Sequence, residues 1–239
     1  MELDELREIS AKEELSLNFI AKDEMISKAL LDLQGFDELV LKGGTAINRI
    51  YLKNNRFSED IDFDIIFKGN IKKALPRTNE IVNMLKGFTI EMPRIMKDTI
   101  RYDIFYTNPL NHKDKIRLEF TIIKKALNYS KKIVNFGFVP YESALLNVYG
   151  IEELIIQKVD CIMNRMEGKD FFDIYYLIDL PHKPINELKK KKEEIIKRIS
   201  LEENQIKLAA NIINHYLPRA KRPNLSIFLE ELKEKIKKY

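Results

Sequence analysis

Asp60, Asp62 and Asp64 alternate with Ile61, Phe63 and Ile65 in the segment Ser58-Glu59-Asp60-Ile61-Asp62-Phe63-Asp64-Ile65-Ile66-Phe67. In an extended strand successive side chains point to opposite faces. The three carboxylates therefore share one face, and Ile61, Phe63, Ile65 and Phe67 share the other. Ile66 breaks the alternation and predicts that both faces become buried near the end of the strand. Aligned aspartates repel one another and disfavour a strand unless something offsets them. Hard oxygen donors favour Mg²⁺ or Mn²⁺. Two such ions about 4 Å apart would clamp the attacking oxygen and the leaving pyrophosphate of an in-line transfer. Asp60 and Asp62 are the candidate metal ligands. Asp64 is a third ligand, a partner behind them, or a charge at the end of the strand.

Just before this segment stands Lys42-Gly43-Gly44-Thr45-Ala46. A strand-to-helix turn without side chains lets backbone N–H groups approach phosphate oxygens, and the helix N-terminus that follows favours anions. Thr45 either offers its hydroxyl to a nucleotide phosphate or caps the helix. A further carboxylate comes from Lys115-Ile116-Arg117-Leu118-Glu119-Phe120-Thr121-Ile122, in which Ile116, Leu118, Phe120 and Ile122 face inward. Arg117, Glu119 and Thr121 share the opposite face, so Glu119 is the candidate to activate an incoming hydroxyl and complete the metal set. Asp103, in Arg101-Tyr102-Asp103-Ile104, competes for that role. Further along, Lys158 is either a point cation for triphosphate charge or a surface lysine paired with Glu153 or Asp160. Asp170 reads as an ordinary helix N-cap.

These residues need a sheet to hold them. Glu2 to about Leu33 carries a helical apolar stripe of Phe19, Ile20, Met25, Ile26, Ala29, Leu30 and Leu33. A short strand over Glu38–Leu41 leads into the glycine turn and a helix running to about Lys53. After the carboxylate strand come a helix near Ile71–Lys86, with Pro76 as a point of kinking or restart, and strands over Phe88–Met92, Ile100–Tyr106 and Lys115–Ile123. A loop-rich stretch with Asn135, Gly137 and Pro140 follows. Helical patterns then occupy Ile151–Arg165, Asp170–Leu180, Ile185–Ile199, Glu202–Tyr216 and Leu225–Lys238, punctuated by Gly168, Pro181, Pro184, Pro218 and Pro223. The expected architecture is α+β: a mixed sheet flanked by helices over residues 1–140, then a C-terminal helical bundle over residues 141–239.

Composition constrains the class. The chain has 239 residues, 45% of them hydrophobic, and 41 Lys+Arg against 37 Asp+Glu leave a formal charge of only +4. So small an excess does not announce nucleic-acid binding, although it permits a local basic face. The single cysteine, Cys161, excludes an intramolecular disulfide framework and a cysteine-based zinc site, and its neighbours Val159, Ile162 and Met163 predict a buried helical thiol. The start, Met1-Glu2-Leu3-Asp4-Glu5, is acidic and lacks the apolar core of a signal peptide. No apolar run reaches the roughly 18 residues of a membrane span. A cytoplasmic location is the expectation.

Taken in order, Gly43-Gly44-Thr45-Ala46, Arg49, Arg56-Phe57-Ser58-Glu59-Asp60-Ile61-Asp62, Glu153 with Lys158, and Lys169-Asp170-Phe171-Phe172-Asp173 resemble the motifs of the AbiEii/AbiGii nucleotidyltransferase toxins. That family is a branch of the DNA polymerase β-like nucleotidyltransferase superfamily. The resemblance spans residues 38–180 and implies a polymerase β-like sheet. It implies that Gly43, Gly44 and Thr45 hold nucleotide phosphates, that Asp60 and Asp62 bind Mg²⁺ or Mn²⁺, that Lys158 contacts the nucleotide, and that Asp170 is an active-site acid. Arg49 and Arg56 fall where the family carries basic residues near the nucleotide; Arg56 alternatively braces its loop through Glu59. Polymerase-like pairs have Gly-Ser at the phosphate turn where this chain has Gly-Thr, so the hydroxyl is kept. The resemblance also implies an NTP substrate, an RNA acceptor such as the tRNA acceptor end, and a cognate antitoxin encoded nearby. Transfer to a protein side chain, or a decayed nucleotide-binding module acting through a partner, are the competing readings.

Overall fold

The computed structural model describes residues 1–134, 137–165 and 167–239, so Asn135 of the expected loop lies outside the described residues. The chain divides into two compact units, Met1–Gly150 and Ile151–Tyr239.

The first unit is built on one mixed sheet. Its strands are β1 (Leu39–Lys42), β2 (Asp60–Ile66), β3 (Thr89–Ile90), β4 (Arg94–Ile95), β5 (Thr99–Thr107), β6 (Lys113–Ile123), β7 (Tyr129–Val134) and β8 (Ala144–Tyr149). They lie in the order β3-β5-β6-β2-β1-β8-β7, with β4 also paired to β5. β2 runs parallel to β6 and antiparallel to β1, and β1 runs parallel to β8. The inward rows explain why the sheet holds. Ile61, Phe63, Ile65, Ile116, Leu118, Phe120, Ile100, Tyr102 and Ile104 are all buried, and the rings of Phe63 and Phe120 stack 6.2 Å apart.

The expected boundary at 140 falls short of the observed one at 150/151 because β8 belongs to the sheet, filling the free edge of β1 and pairing β7 on its far side. The helical stripe expected over residues 2–33 is broken. α1 (Leu3–Glu13) stops where Glu14 takes a left-handed φ of 51°, and α2 (Leu17–Asp32) restarts from Ser16. The helix after the glycine turn begins as α3 (Gly43–Ala46) and continues as a π turn, Ile47–Tyr51. α4 (Ile71–Val82) runs through Pro76 without restarting, and the Asn70 side chain accepts a bond from the Lys73 amide at its start.

The second unit is helical: α5 (Ile151–Asn164), α6 (Gly168–Leu177), α7 (Asn186–Leu201), α8 (Glu203–Ile213) and α9 (Leu225–Lys238). Ile155, Val159, Ile162, Phe171, Ile174, Ile195, Ile199, Ile206 and Leu232 are buried in it. Gly168 is required where α6 meets α8, because a Cβ there would lie 2.2 Å from the Ala209 carbonyl oxygen. Cys161 is half-buried on α5, less enclosed than its neighbours suggest, and burial raises its thiol pKa.

Candidate active site

β1, the glycine turn and β2 converge on Asp62. Lys42 faces Asp62 across the antiparallel pair, and the chain leaves β1 through Gly43, whose φ is +68°. Only glycine adopts that backbone at no cost. The space is also claimed: a Cβ on Gly43 would lie 2.3 Å from the Asp62 Oδ2, so the carboxylate packs directly over the turn. A Cβ on Gly44 would meet the Arg56 Nη2 at 2.5 Å and the Ser58 Oγ at 2.8 Å. The two glycines thus let a carboxylate and a guanidinium approach the same short stretch of backbone.

Thr45 is buried, and its hydroxyl donates to the Asp60 main-chain carbonyl. It neither faces outward toward a phosphate nor caps a helix; it ties the turn to the start of the carboxylate strand. Arg56 is buried beside Gly44, and its Nη1 donates to the Phe57 carbonyl at 2.9 Å. Arg56 thus braces its own loop through the Phe57 carbonyl, a partner other than the expected Glu59, and lies beside the turn.

Arg49 departs from its expected place. It is buried, and its Nη2 donates to the Asp23 Oδ1 at 2.7 Å while its Nη1 donates to the Ser27 Oγ at 3.0 Å. The other Asp23 oxygen accepts from the amides of Phe138 at 2.7 Å and Val139 at 3.1 Å. Burial lowers the Arg49 pKa, and Asp23 opposes that shift. Its guanidinium is committed to binding α2, the π turn and the 137–139 segment together, and it is not presented to a nucleotide. The partner lies 26 residues upstream, which no local pattern reveals.

On the sheet face the register fixes who meets whom. Asp62 lies opposite Glu119 across the parallel β2–β6 pair, and Glu119 lies opposite Arg101 across the antiparallel β6–β5 pair. Asp103 is separated from β2 by the whole of β6, where it lies opposite Arg117 and accepts from the Lys115 Nζ at 2.7 Å. Of the two candidates for the third carboxylate, Glu119 is therefore the one beside Asp62. The Lys115 hydrogen bond lowers the Asp103 pKa, with burial opposing it. Asp64 is held by Lys42 and by the Tyr149 hydroxyl, which donates to its Oδ2 at 2.6 Å. Lys42 also donates to the Thr121 hydroxyl at 3.0 Å. Asp64 thus works as a brace between β1, β2 and β8, with both oxygens taken up. Asp60 is partly exposed and has Arg117 Nη1 at 3.4 Å.

Among the described residues no three His, Cys, Asp or Glu side chains converge to form a ready metal cage. The donors nevertheless suit a hard divalent cation. Asp60 and Asp62 project from one strand, Glu119 stands next to Asp62 in register, and like charges so placed are unfavourable without a counter-charge. In this structure Arg117 and Arg101 supply it, the latter with Nε 2.7 Å from the Glu119 Oε1.

In the helical unit the structure brings Lys158 and Asp170 together. Lys158 is buried, with Nζ 2.7 Å from the Asp170 Oδ1 and 2.8 Å from the Asp173 Oδ2. Its expected surface pairing with Glu153 or Asp160 gives way to this buried one, and Asp160 instead accepts from Lys191. Arg165 closes the group, its Nε 2.8 Å from the Asp170 Oδ2. Asp170 is not the N-cap, a position held by Glu167. Burial raises the Asp170 pKa, and Lys158 and Arg165 more than offset it, leaving the carboxyl below its ordinary range. Burial lowers the Arg165 pKa in turn, and Asp170 reverses that to a net rise. Arg101, Tyr149, Arg165 and Asp173 all hold candidate site residues without having been singled out for it in the sequence.

The sequence matches the protein family described as nucleotidyl transferase AbiEii toxin, type IV TA system, over residues 27–238. No curated protein matches it. Among solved structures, a candidate nucleotidyltransferase from Helicobacter pylori is similar with a TM-score of 0.62 at 19% identity, over 94% of this chain and 98% of that one. MenT4, a nucleotidyltransferase toxin from Mycobacterium tuberculosis H37Rv, gives 0.63 at 15% identity, over 99% of this chain and 88% of its own. At such identities the likeness is one of fold.

Proposed function

The chain belongs to the AbiEii family of nucleotidyltransferase toxins, and we propose that it moves a nucleotide from an NTP to RNA, at the acceptor end of a tRNA, in the cytoplasm. The observation that carries this reading is the packing of Asp62 over the Gly43 turn with Glu119 beside it in register. It supports the reading because a glycine backbone open to phosphate oxygens lies next to carboxylates of the kind that suit a hard cation.

In the proposed reaction an acceptor hydroxyl attacks the α-phosphorus of the NTP. The bond to the bridging oxygen breaks, and pyrophosphate carries away the electron pair. Backbone N–H groups at Gly43 and Gly44 hold phosphate oxygens, and Arg56 beside Gly44 adds positive charge. Glu119 accepts the proton of the attacking hydroxyl. Asp60, Asp62 and Glu119 would hold Mg²⁺ or Mn²⁺, which supplies charge neutralisation of the triphosphate. Thr45, Arg49 and Asp64 keep these groups in place without touching substrate. Lys158 and Asp170 retain the roles implied by the family motifs as a coupled pair, since neither can be altered without changing the charge balance of the other. A cognate antitoxin encoded nearby would restrain the activity.

The test is label transfer. Purified protein is incubated with Mg²⁺, each α-labelled NTP in turn and total tRNA, beside an Asp62→Ala variant. Label should enter tRNA with the intact protein, and the variant should lose about a hundredfold or more of the rate. Label entering protein instead would replace the RNA acceptor with a side chain. Equal transfer by the variant would remove Asp62 from the metal-binding role.

A further inference from the structure

One row of residues crosses the sheet at the site. From β1 through β2, β6 and β5 to β4 it reads Lys42, Asp62, Glu119, Arg101 and Arg94. Two carboxylates stand directly opposite one another in the middle of that row, an arrangement that is destabilising by itself. At one end Lys42 is drawn to Asp64 and Thr121 on the neighbouring row. At the other end Arg101 reaches Glu119, Nε to Oε1 at 2.7 Å. The Arg101 and Glu119 side chains are 28% and 21% exposed, so water reaches the pair and the two groups can separate. Asp60 and Arg117 repeat the arrangement one row away at a longer 3.4 Å.

We infer that Arg101 is a positioning residue that holds Glu119 in the metal-free protein and yields it when a divalent cation binds. The inference rests on the metal-binding reading of Asp60, Asp62 and Glu119 above. A guanidinium and a metal ion compete for the same carboxylate lone pairs, so the ion pair lowers metal affinity by the factor to which it is populated. In exchange it keeps Glu119 ordered beside Asp62 and removes the cost of two facing carboxylates. The device makes the third ligand available only against a competitor, and so couples closure of the metal site to release of an arginine on the same sheet face.

The test needs no turnover. Mn²⁺ binding to nucleotide-free protein is titrated by electron paramagnetic resonance of the free ion. Arg101→Gln should bind Mn²⁺ roughly threefold more tightly than the wild type, the scale expected for a partly exposed ion pair. Arg101→Lys keeps the charge without the fixed fork and should fall between the two; it carries the test alone if the glutamine variant fails to fold. In a Glu119→Gln background, the Arg101 substitutions should make no difference. Unchanged or weaker Mn²⁺ binding in folded Arg101 variants overturns the inference. If Asp62→Asn then still abolishes binding, the metal site survives and only the role of Arg101 falls. If Mn²⁺ binds no variant and not the wild type, both readings fall together.

Discussion

The sheet face around Asp62 and the interior of the helical unit around Lys158 use the same residue types to different ends. On the sheet, Glu119 pairs with Arg101 and Asp60 with Arg117, and all four side chains remain partly exposed. Inside the helical unit, Lys158 lies between Asp170 and Asp173, whose side chains are fully buried, and Arg165 covers Asp170 from the outside. A pair that water can enter is weak and exchangeable. A pair sealed from water is costly to form and costlier to break, because one partner left alone is an uncompensated buried charge. The first arrangement suits groups that must change partners during a reaction. The second fixes a helix packing, whatever further part Lys158 and Asp170 play.

The largest effect should come from breaking the sealed group. Asp170→Asn leaves Lys158 and Arg165 short of counter-charge and should destabilise the helical unit by about 3–5 kcal/mol, read from denaturant unfolding followed on that unit. A loss below about 1 kcal/mol would show that the group is as exchangeable as the sheet-face pairs. Next is Gly43→Ala, which must accommodate a left-handed φ and a Cβ 2.3 Å from the Asp62 Oδ2. We expect a cost of about 1–3 kcal/mol, with nucleotide transfer falling far more than stability because Asp62 is displaced. Retained transfer would detach the turn from the carboxylate.

Acid separates the regions more finely. The folded Asp170 pKa lies below the ordinary 3.8. Its ionised form therefore contributes stability that is fully present above that value and is lost as the pH falls through the lower folded one. Wild type should lose stability relative to Asp170→Asn across that window, and parallel pH curves for the two would remove the linkage. The smallest effect belongs to Lys115→Ala. Lys115 is half-exposed and pairs with Asp103 on the sheet surface, so its loss should cost under about 1 kcal/mol in thermal unfolding.

How much of this could be read from the chain follows from the range of each interaction. The alternation of Asp60, Asp62 and Asp64 and that of Arg117, Glu119 and Thr121 are local periodicities, and both strands form with the expected faces. The glycine turn was legible for the same reason. The five C-terminal helices were also marked, because Gly and Pro punctuate them. β8 was not: Ala144-Leu145-Leu146-Asn147-Val148-Tyr149 is a short apolar run without clear alternation, and a partner strand more than 100 residues upstream makes it a strand. The buried partners of Arg49 and Lys158 were hidden in the same sense. Their types suggest ligands for phosphate, whereas the buried acids that claim them, Asp23 for the one and Asp170 with Asp173 for the other, are determined by packing.

The parallel pairing of β1 with β8 has a consequence for the order of assembly. β1 meets β2 across a short intervening segment, so those two strands can associate early during synthesis. The other edge of β1 stays open until residues 144–149 have left the ribosome. Only then does the Tyr149 hydroxyl reach Asp64 and steady the strand that carries Asp60 and Asp62. A nascent chain that stops short of β8 holds Asp60, Asp62 and Glu119 yet lacks the hydroxyl that props Asp64 behind them.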